Sequence, residues 1–152
     1  MFIVNASSRY TIAMTDIEPR NWNYYAMYIR SVIHGVMQEM GYFEEQIGQY
    51  FKMPGDTAVT KTHGRKSVGG INRMVMDAQY FGKKLEKEAK YQWELSEYLN
   101  RYICQPEGFD AYGYPSELFK LDMERLGIAA KRKPAKVIDI AQYIENNRGT
   151  ND

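Results

Sequence analysis

The segment KTHGRKSVGG, residues 61–70, brings three basic side chains, a histidine, a serine and three glycines into ten positions. The first amide N–H groups of a helix lack partners within it, so a glycine-rich turn leading into a helix is suited to bind phosphate or carboxylate. Arg65 is the leading candidate, because its planar guanidinium donates two parallel hydrogen bonds to such a group, whereas Lys66 offers a point charge. Ser67 is expected to cap the helix.

The spacing of this segment excludes two familiar nucleotide-binding loops. A nucleotide-triphosphate loop needs Gly, four residues and then Gly-Lys-Ser/Thr, but the sequence has Gly64-Arg65-Lys66-Ser67 and no glycine at position 59 or 60. The dinucleotide-binding fingerprint requires a different spacing of its three glycines. Two interpretations stay open: an anion site, or a tight strand-to-helix turn in which Arg65 pairs with a carboxylate of the protein itself.

His63 is the side chain in this segment that could act as an acid or base near neutral pH. A catalytic histidine normally has a carboxylate to orient it, and none is adjacent in the sequence, so no catalytic residue is predicted. His34 lies within an apolar helical pattern and is interpreted as a packed or surface residue. With two histidines and the single cysteine Cys104, we expect neither a metal site nor a cofactor.

A small mixed fold must position these residues. Phe2–Asn5 and Tyr10–Thr15 predict two short strands around a polar turn, and the β-branched run Thr57–Thr62 predicts a third strand. Apolar residues at helical spacing predict helices over residues 22–40, 43–51, 71–81, 91–104, 115–126 and 137–144, with caps at Gly41 and Gly127. The predicted class is α+β, with a sheet of about three strands packed with four to six helices. A purely helical fold is the alternative.

Length and composition favour one compact domain over residues 1–152, with residues 128–152 able to form a C-terminal helical extension. Lys and Arg total 20 against 19 Asp and Glu, so the net charge of +1 creates no overall attraction to nucleic acid or to an acidic membrane. A single cysteine favours a reducing compartment, and no stretch reaches the length of a membrane span. We therefore expect a cytoplasmic protein without a membrane association.

Thr62-x-x-Arg65, followed by Gly69 and Asn72, resembles the hallmark of an uncharacterised bacterial domain family that is also found on plasmids and phages. The segment FIVNASSRYTIAM is similar to the strand, Asn, turn and second strand of that family. The pair Leu99-Asn100 and the segment YGYP at residues 112–115 are similar to its later motifs, so the resemblance spans about residues 2–120.

The chain departs from that family at two positions beside the hallmark. Lys66 stands where the family usually has serine, and Arg73 stands where it usually has an acidic residue. The resemblance implies no established activity, but it directs attention to the hallmark residues. The candidate ligand-binding residues are therefore Thr62, His63, Arg65, Lys66, Ser67, Gly69 and Asn72.

The leading hypothesis is a small non-enzymatic binding protein, carried by a mobile element or phage, that modulates or inhibits a macromolecular partner, which we expect to be a protein. It rests on the lack of catalytic and cofactor motifs and on 13 Tyr and 9 Met residues, types suited to contact surfaces. The alternative is a nucleotide or nucleic-acid phosphate-binding domain, able to process phosphoesters, that uses residues 61–72. A third, structural interpretation assigns Arg65 and Asn72 to bracing the turn.

Overall fold

The computed structural model describes residues 1–15, 17, 22–55 and 64–129, which form one hairpin and five helices. Strands β1 (Phe2–Val4) and β2 (Thr11–Ala13) are followed by α1 (Trp22–Glu39), α2 (Glu44–Lys52), α3 (Arg65–Gln79), α4 (Trp93–Asn100) and α5 (Pro115–Arg125). The α+β class is confirmed, and the hairpin excludes the purely helical alternative. The predicted third strand, Thr57–Thr62, lies outside the described residues, as does the chain from residue 130 onward.

The hairpin closes through an asparagine-centred turn. β1 and β2 pair antiparallel, with Ile3 opposite Ile12. The Oδ1 atom of Asn5 accepts hydrogen bonds from the amide of Ser8 at 2.9 Å and from its hydroxyl at 3.0 Å, which fixes the turn by a side-chain contact. Arg9 completes the turn at a φ of 61°, and it is the single non-glycine residue of the described chain with a positive φ.

Helix α4 takes the place of a further strand along the free edge of β2. The amide of Thr11 donates to Asn100 Oδ1 at 2.9 Å, and the carbonyl of Thr11 accepts from Asn100 Nδ2 at 2.7 Å. The amide of Ala13 donates to Ser96 Oγ at 2.9 Å, and its carbonyl accepts from the amide of Gln92 at 2.9 Å. The four backbone groups that β2 directs away from β1 are therefore all satisfied by α4.

Strand β2 is buried on both faces, and each face contacts a different hydrophobic cluster. The larger cluster packs the hairpin against α1, α2 and α5, while the smaller one packs it against α3 and α4. The sheet is thus a thin layer between two layers of helices. The larger cluster contains Tyr10, Ile12, Met14, Val36, Met37, Ile47, Phe119, Met123 and Ile128, and the smaller contains Ala13, Met74, Leu95 and Leu99.

The C-terminal ends of the helices agree with the sequence prediction except at α4. Helices α1 and α5 each end just before a glycine with positive φ, Gly41 at 87° and Gly127 at 69°, as predicted. The predicted end of α4 at residue 104 is wrong, because the helix ends at Asn100 and Cys104 instead pairs with Gly113 through two 2.9 Å backbone hydrogen bonds.

No helix in the described part of the chain is both long enough and apolar enough to cross a bilayer.

Candidate functional site

Helix α3 begins earlier than predicted, so most of the glycine-rich segment is helix rather than turn. Gly64, with a φ of 85°, immediately precedes the helix, and Arg65 is its first residue. The prediction that Ser67 caps the helix is wrong, because Ser67 lies inside the first turn. Its hydroxyl donates a hydrogen bond to the carboxylate of Glu107. An acidic group of the protein itself therefore lies beside the first turn of α3.

Arg65, Gly69, Asn72 and Met76 lie on one stripe of α3, which we call the outer face. Their spacing of four, three and four residues places them on one side of a helix, opposite the buried Met74. All four are exposed, and a Cβ added at Gly69 would meet nothing within 4 Å. Within the described residues, the side chains of Arg65 and Asn72 form no hydrogen bond or ion pair, so the bracing interpretation finds no partner there.

The other predicted site residues are distributed differently. Lys66 is exposed beside the outer face, whereas Ser67 is partly buried and hydrogen-bonded to Glu107. Thr62 and His63 lie outside the described residues. The structure therefore groups Arg65, Gly69 and Asn72, and it separates Ser67 from them.

The inward side of α3 contacts an arginine that the sequence analysis did not single out. Arg9, at the end of the hairpin turn, lays its guanidinium over Gly70, where an added Cβ would overlap Cζ and Nη2 and lie 2.7 Å from Nε. Arg9 itself has a left-handed backbone conformation, with a φ of 61°. This conformation costs on the order of 1 kcal/mol, and a glycine at position 9 would avoid that cost. Arg9 is partly buried, and its guanidinium has no hydrogen-bond or ion-pair partner among the described residues.

Arg9 also lines a cleft of about 370 Å³ between the hairpin, α3 and the end of α4, which we call the Arg9 cleft. This volume lies within the range of small-molecule sites, roughly 300–1,000 Å³. A second arginine, Arg73 of α3, also lines the cleft, and its Nε donates to the two carboxylate oxygens of Asp77 at 3.0 and 3.3 Å. The facing wall is mainly apolar and includes Leu99 and Ile103.

Cys104 lines the Arg9 cleft but is not arranged as a nucleophile. Burial raises the pKa of the Cys104 thiol, and the nearby positive charge of Arg9 opposes that rise only in part. The thiol is therefore protonated at neutral pH, which is the unreactive form. Among the described residues, no group of three or more His, Cys, Asp or Glu side chains could hold a metal ion.

A buried carboxylate supports the hairpin turn that presents Arg9. The hydroxyl of Ser7 donates to Asp122 Oδ1 at 3.0 Å, while Oδ2 of the same carboxylate is buried without a hydrogen-bond partner in the described chain. Burial raises the pKa of Asp122, although the hydrogen bond from Ser7 and the charge of Arg125 act in the opposite direction. The ionised carboxylate is therefore less favourable in the folded than in the unfolded protein.

Asp122→Asn should change the pH dependence of stability. Because the folded protein binds the Asp122 proton more tightly than the unfolded chain, the wild type loses stability as pH rises from the ordinary aspartate range through the raised pKa. Relative to wild type, the variant should therefore gain on the order of 1 kcal/mol across that window. Urea unfolding at a series of pH values measures the difference, and Asp110→Asn, at an exposed position, is the control. A difference that does not change with pH would contradict the assignment.

Sequence reasoning singled out three residues that lie on the outer face, Arg65, Gly69 and Asn72, but it did not single out the Arg9 cleft. Gly69 and Gly70 are adjacent glycines inside a helix, and this unusual pair was the available signal. The two have different surroundings, since Gly69 faces open space while Gly70 makes room for the Arg9 guanidinium. Arg9 and Gly70 are 61 residues apart in the chain, and nothing in the local sequence around Arg9 indicates that the two are in contact.

Comparison with known proteins relates the chain to a family. The model of a family described as a domain of unknown function, DUF6933, matches residues 1–118. The matched segment contains the hairpin, helices α1 to α4 and the first residues of α5, and so includes both the outer face and the Arg9 cleft. No curated protein and no solved structure matches the chain.

Proposed function

The chain belongs to DUF6933, a domain family of unknown function, and we propose that it is a small non-enzymatic protein that binds a macromolecular partner through the outer face of α3. One observation carries the proposal. Three of the residues singled out in the sequence, Arg65, Gly69 and Asn72, share an exposed stripe of one helix. Within the described part of the protein, the side chains of Arg65 and Asn72 form no hydrogen bond or ion pair, and the space beside Gly69 is open.

Gly69 leaves the helix backbone uncovered on the outer face. Glycine inside a helix costs roughly 1 kcal/mol relative to alanine. At Gly70 this cost has an internal reason, because the guanidinium of Arg9 occupies the space of a side chain. At Gly69 the space is open, as it is at Gly48 of α2, and we assign a partner close to the helix backbone at Gly69 because Arg65 and Asn72 lie on the same exposed stripe.

The chemistry of α3 favours a protein partner with an acidic surface. Arg65, Lys66 and Arg73 are all exposed, and the first turn of the helix has no acidic residue. The same helix also exposes apolar groups at its C-terminal end, since Met76 is 54% exposed and Tyr80 is 76% exposed. This combination of cationic and apolar contacts is typical of protein interfaces rather than of a continuous phosphate-binding track.

The resemblance to a family also found on plasmids and phages extends the proposal to the role of the protein. A chain carried by a mobile element would act on a protein of its host, as a modulator or an inhibitor. The outer face of α3 would then be the surface that contacts the host protein.

Gly69→Arg should abolish partner binding without unfolding the protein. The new side chain enters open space on the outer face and removes the helix cost of glycine, but it holds a partner away from the backbone. We expect at least a tenfold loss in recovered partner, equivalent to about 1.4 kcal/mol of binding free energy. The measurement is quantitative mass spectrometry of proteins captured from a host-cell lysate by the immobilised chain.

Gly48→Arg is the matched control for this capture. Gly48 is an exposed helical glycine of α2, and a Cβ added there would also meet nothing within 4 Å. The control has the same change in charge and size at a different surface, and it should capture the partner as well as wild type. Equal capture by Gly69→Arg, or no stoichiometric partner with any version of the chain, would contradict the proposal.

A phosphate-bearing ligand at the start of α3, a nucleotide or a nucleic acid, is the second candidate. Arg65 and Lys66 are both exposed there, and neither has an acidic partner among the described residues. The Glu107 carboxylate beside Ser67 weighs against this candidate, because it places a negative charge close to the same turn. A nucleotide-induced rise in melting temperature that disappears in Arg65→Ala would support the phosphate site over the protein interface.

A further inference from the structure

We propose that the Arg9 cleft binds a small molecule that carries a phosphate monoester, and that the guanidinium of Arg9 recognises the phosphate. Three features meet at this place: an arginine with a strained backbone, a partly buried guanidinium without an acidic partner in the described chain, and a cleft of about 370 Å³ beside it. The cleft lies on the inward flank of α3, so this proposal does not depend on the outer face.

The backbone of Arg9 argues that its side chain is required. At a φ of 61° a glycine or asparagine would fit with less strain. The observed position of the guanidinium is possible only beside a glycine, because a Cβ at Gly70 would overlap it and displace it. A left-handed arginine and a glycine inside a helix are each locally unfavourable. Together they place the guanidinium of Arg9 at the edge of the cleft. Strained residues cluster at ligand-binding sites.

The positive charge of the partly buried Arg9 guanidinium favours an anionic ligand. A guanidinium that loses part of its hydration is normally compensated by a carboxylate or another oxyanion. Asp77 is paired with Arg73, whereas Glu107 lines a second, smaller pocket with Arg9 and accepts a hydrogen bond from Ser67 but forms no ion pair with Arg9. With Arg9, Arg73 and Asp77 on its walls, the cleft has an excess of one positive charge. A bound anion would balance that charge.

The remaining walls favour an organic phosphate over a free inorganic ion. The cleft is several times larger than a phosphate group, and its far wall includes Leu99, Ile103 and Pro115. Tyr102 adds an aromatic ring to the lining, and its hydroxyl donates a hydrogen bond to that of Tyr98. A ligand with a phosphate at one end and a flat or apolar body at the other would therefore match both parts of the cleft. A phosphate monoester offers three acceptor oxygens, enough for Arg9 and Arg73 together.

The test is isothermal titration calorimetry of the full chain with 5′-AMP and phenyl phosphate, alongside inorganic phosphate and benzoate. We expect an ester to bind with a Kd of about millimolar or below. Inorganic phosphate should bind more weakly because it lacks the body that contacts the apolar wall. Arg9→Gly, whose backbone suits the turn, should weaken binding about ten- to a hundredfold, because hydrogen bonds to a charged group are lost.

Gly70→Ala provides a second variant that keeps the arginine but displaces it. The added Cβ overlaps the guanidinium, so binding should weaken although no charge is removed. Gly48→Ala, at an exposed helical glycine in open space, is the control and should bind as the wild type does.

Each remaining outcome counts against the proposal. Benzoate binding as tightly as phenyl phosphate would replace the phosphate assignment with a general carboxylate site. Binding that survives both Arg9→Gly and Gly70→Ala would place the ligand elsewhere on the protein. No measurable binding of either ester at millimolar concentration, with the wild type folded, would overturn the proposal.

Discussion

Asn100→Leu is expected to destabilise the folded protein by about 3 kcal/mol, because it leaves two buried backbone groups of β2 without partners. The amide side chain donates to the carbonyls of Thr11 and Ser96 and accepts from the amide of Thr11, and it is 4% exposed. Leucine has the same number and branching of side-chain heavy atoms, so no cavity forms, and the expected loss comes mainly from the missing hydrogen bonds. Urea unfolding followed by circular dichroism measures the change in the free energy of unfolding.

Asn72→Leu is the matched control for this prediction. Asn72 is exposed on α3, and its side chain has no hydrogen bond among the described residues, so the same substitution should change stability by no more than about 0.5 kcal/mol. The free energy of unfolding is the quantity compared. A loss below about 1 kcal/mol for Asn100→Leu would show that water replaces the amide at the edge of β2.

Gly108→Ala should cost about 2–3 kcal/mol, because the loop before α5 packs directly on the hairpin turn. A Cβ at Gly108 would overlap the Oγ of Ser7 and lie 2.9 Å from the carbonyl oxygen of Ser7. The same carbonyl accepts a hydrogen bond from the amide of Gly108 at 3.1 Å, so the backbones cannot separate without losing it. The guanidinium of Arg125 further holds this loop by donating to the carbonyl of Gly108 at 2.9 Å.

Gly82→Ala tests whether the effect at Gly108 is specific. Gly82 is exposed, and an added Cβ there would meet nothing within 4 Å, so alanine should be neutral or slightly stabilising. Both variants are measured by chemical denaturation under the same conditions. If Gly108→Ala were as stable as Gly82→Ala, the contact between the loop and the hairpin turn would not support the position of Arg9.

The two surfaces of α3 suggest different uses for one helix. Its outer face, with Arg65 and Gly69, is open to a partner, while its inner side packs against the hairpin at Gly70 and forms a wall of the Arg9 cleft. The variants proposed for each surface are separate, so loss of partner binding and loss of phosphate binding can be measured independently.

Local patterns predicted most of the helices and the hairpin. The apolar spacing that predicted α1 and α5, and the glycines that end them at positions 41 and 127, depend on interactions within a few residues. The failure at α4 has a nonlocal cause, because Cys104 pairs with Gly113 rather than continuing the helix. The start of α3 was missed because residues 65–70 carry two glycines, which local propensity assigns to a turn.

The outer face was within reach of sequence reasoning because its residues lie close together in the chain and share a helical period. Arg65, Gly69 and Asn72 fall on one side of any helix that contains them, whatever surrounds it. Whether that side faces solvent or the core depended on the packing of Met74 against β2 and α4. Only the tertiary structure decides which side of α3 is buried, because burial depends on how the sheet and the helical layers pack together.

By itself, the sequence determined the α+β class, the order of the hairpin and the five described helices, and the basic, glycine-rich composition of residues 61–70. These follow from periodicity and from the conformational preferences of single residues, which act over one or two turns of chain. The tertiary structure alone decided that α4 completes the edge of β2, that Gly70 serves Arg9 and that a cleft opens between them. These contacts join residues more than 60 positions apart, and only the packing of the hairpin between two helical layers brings them together.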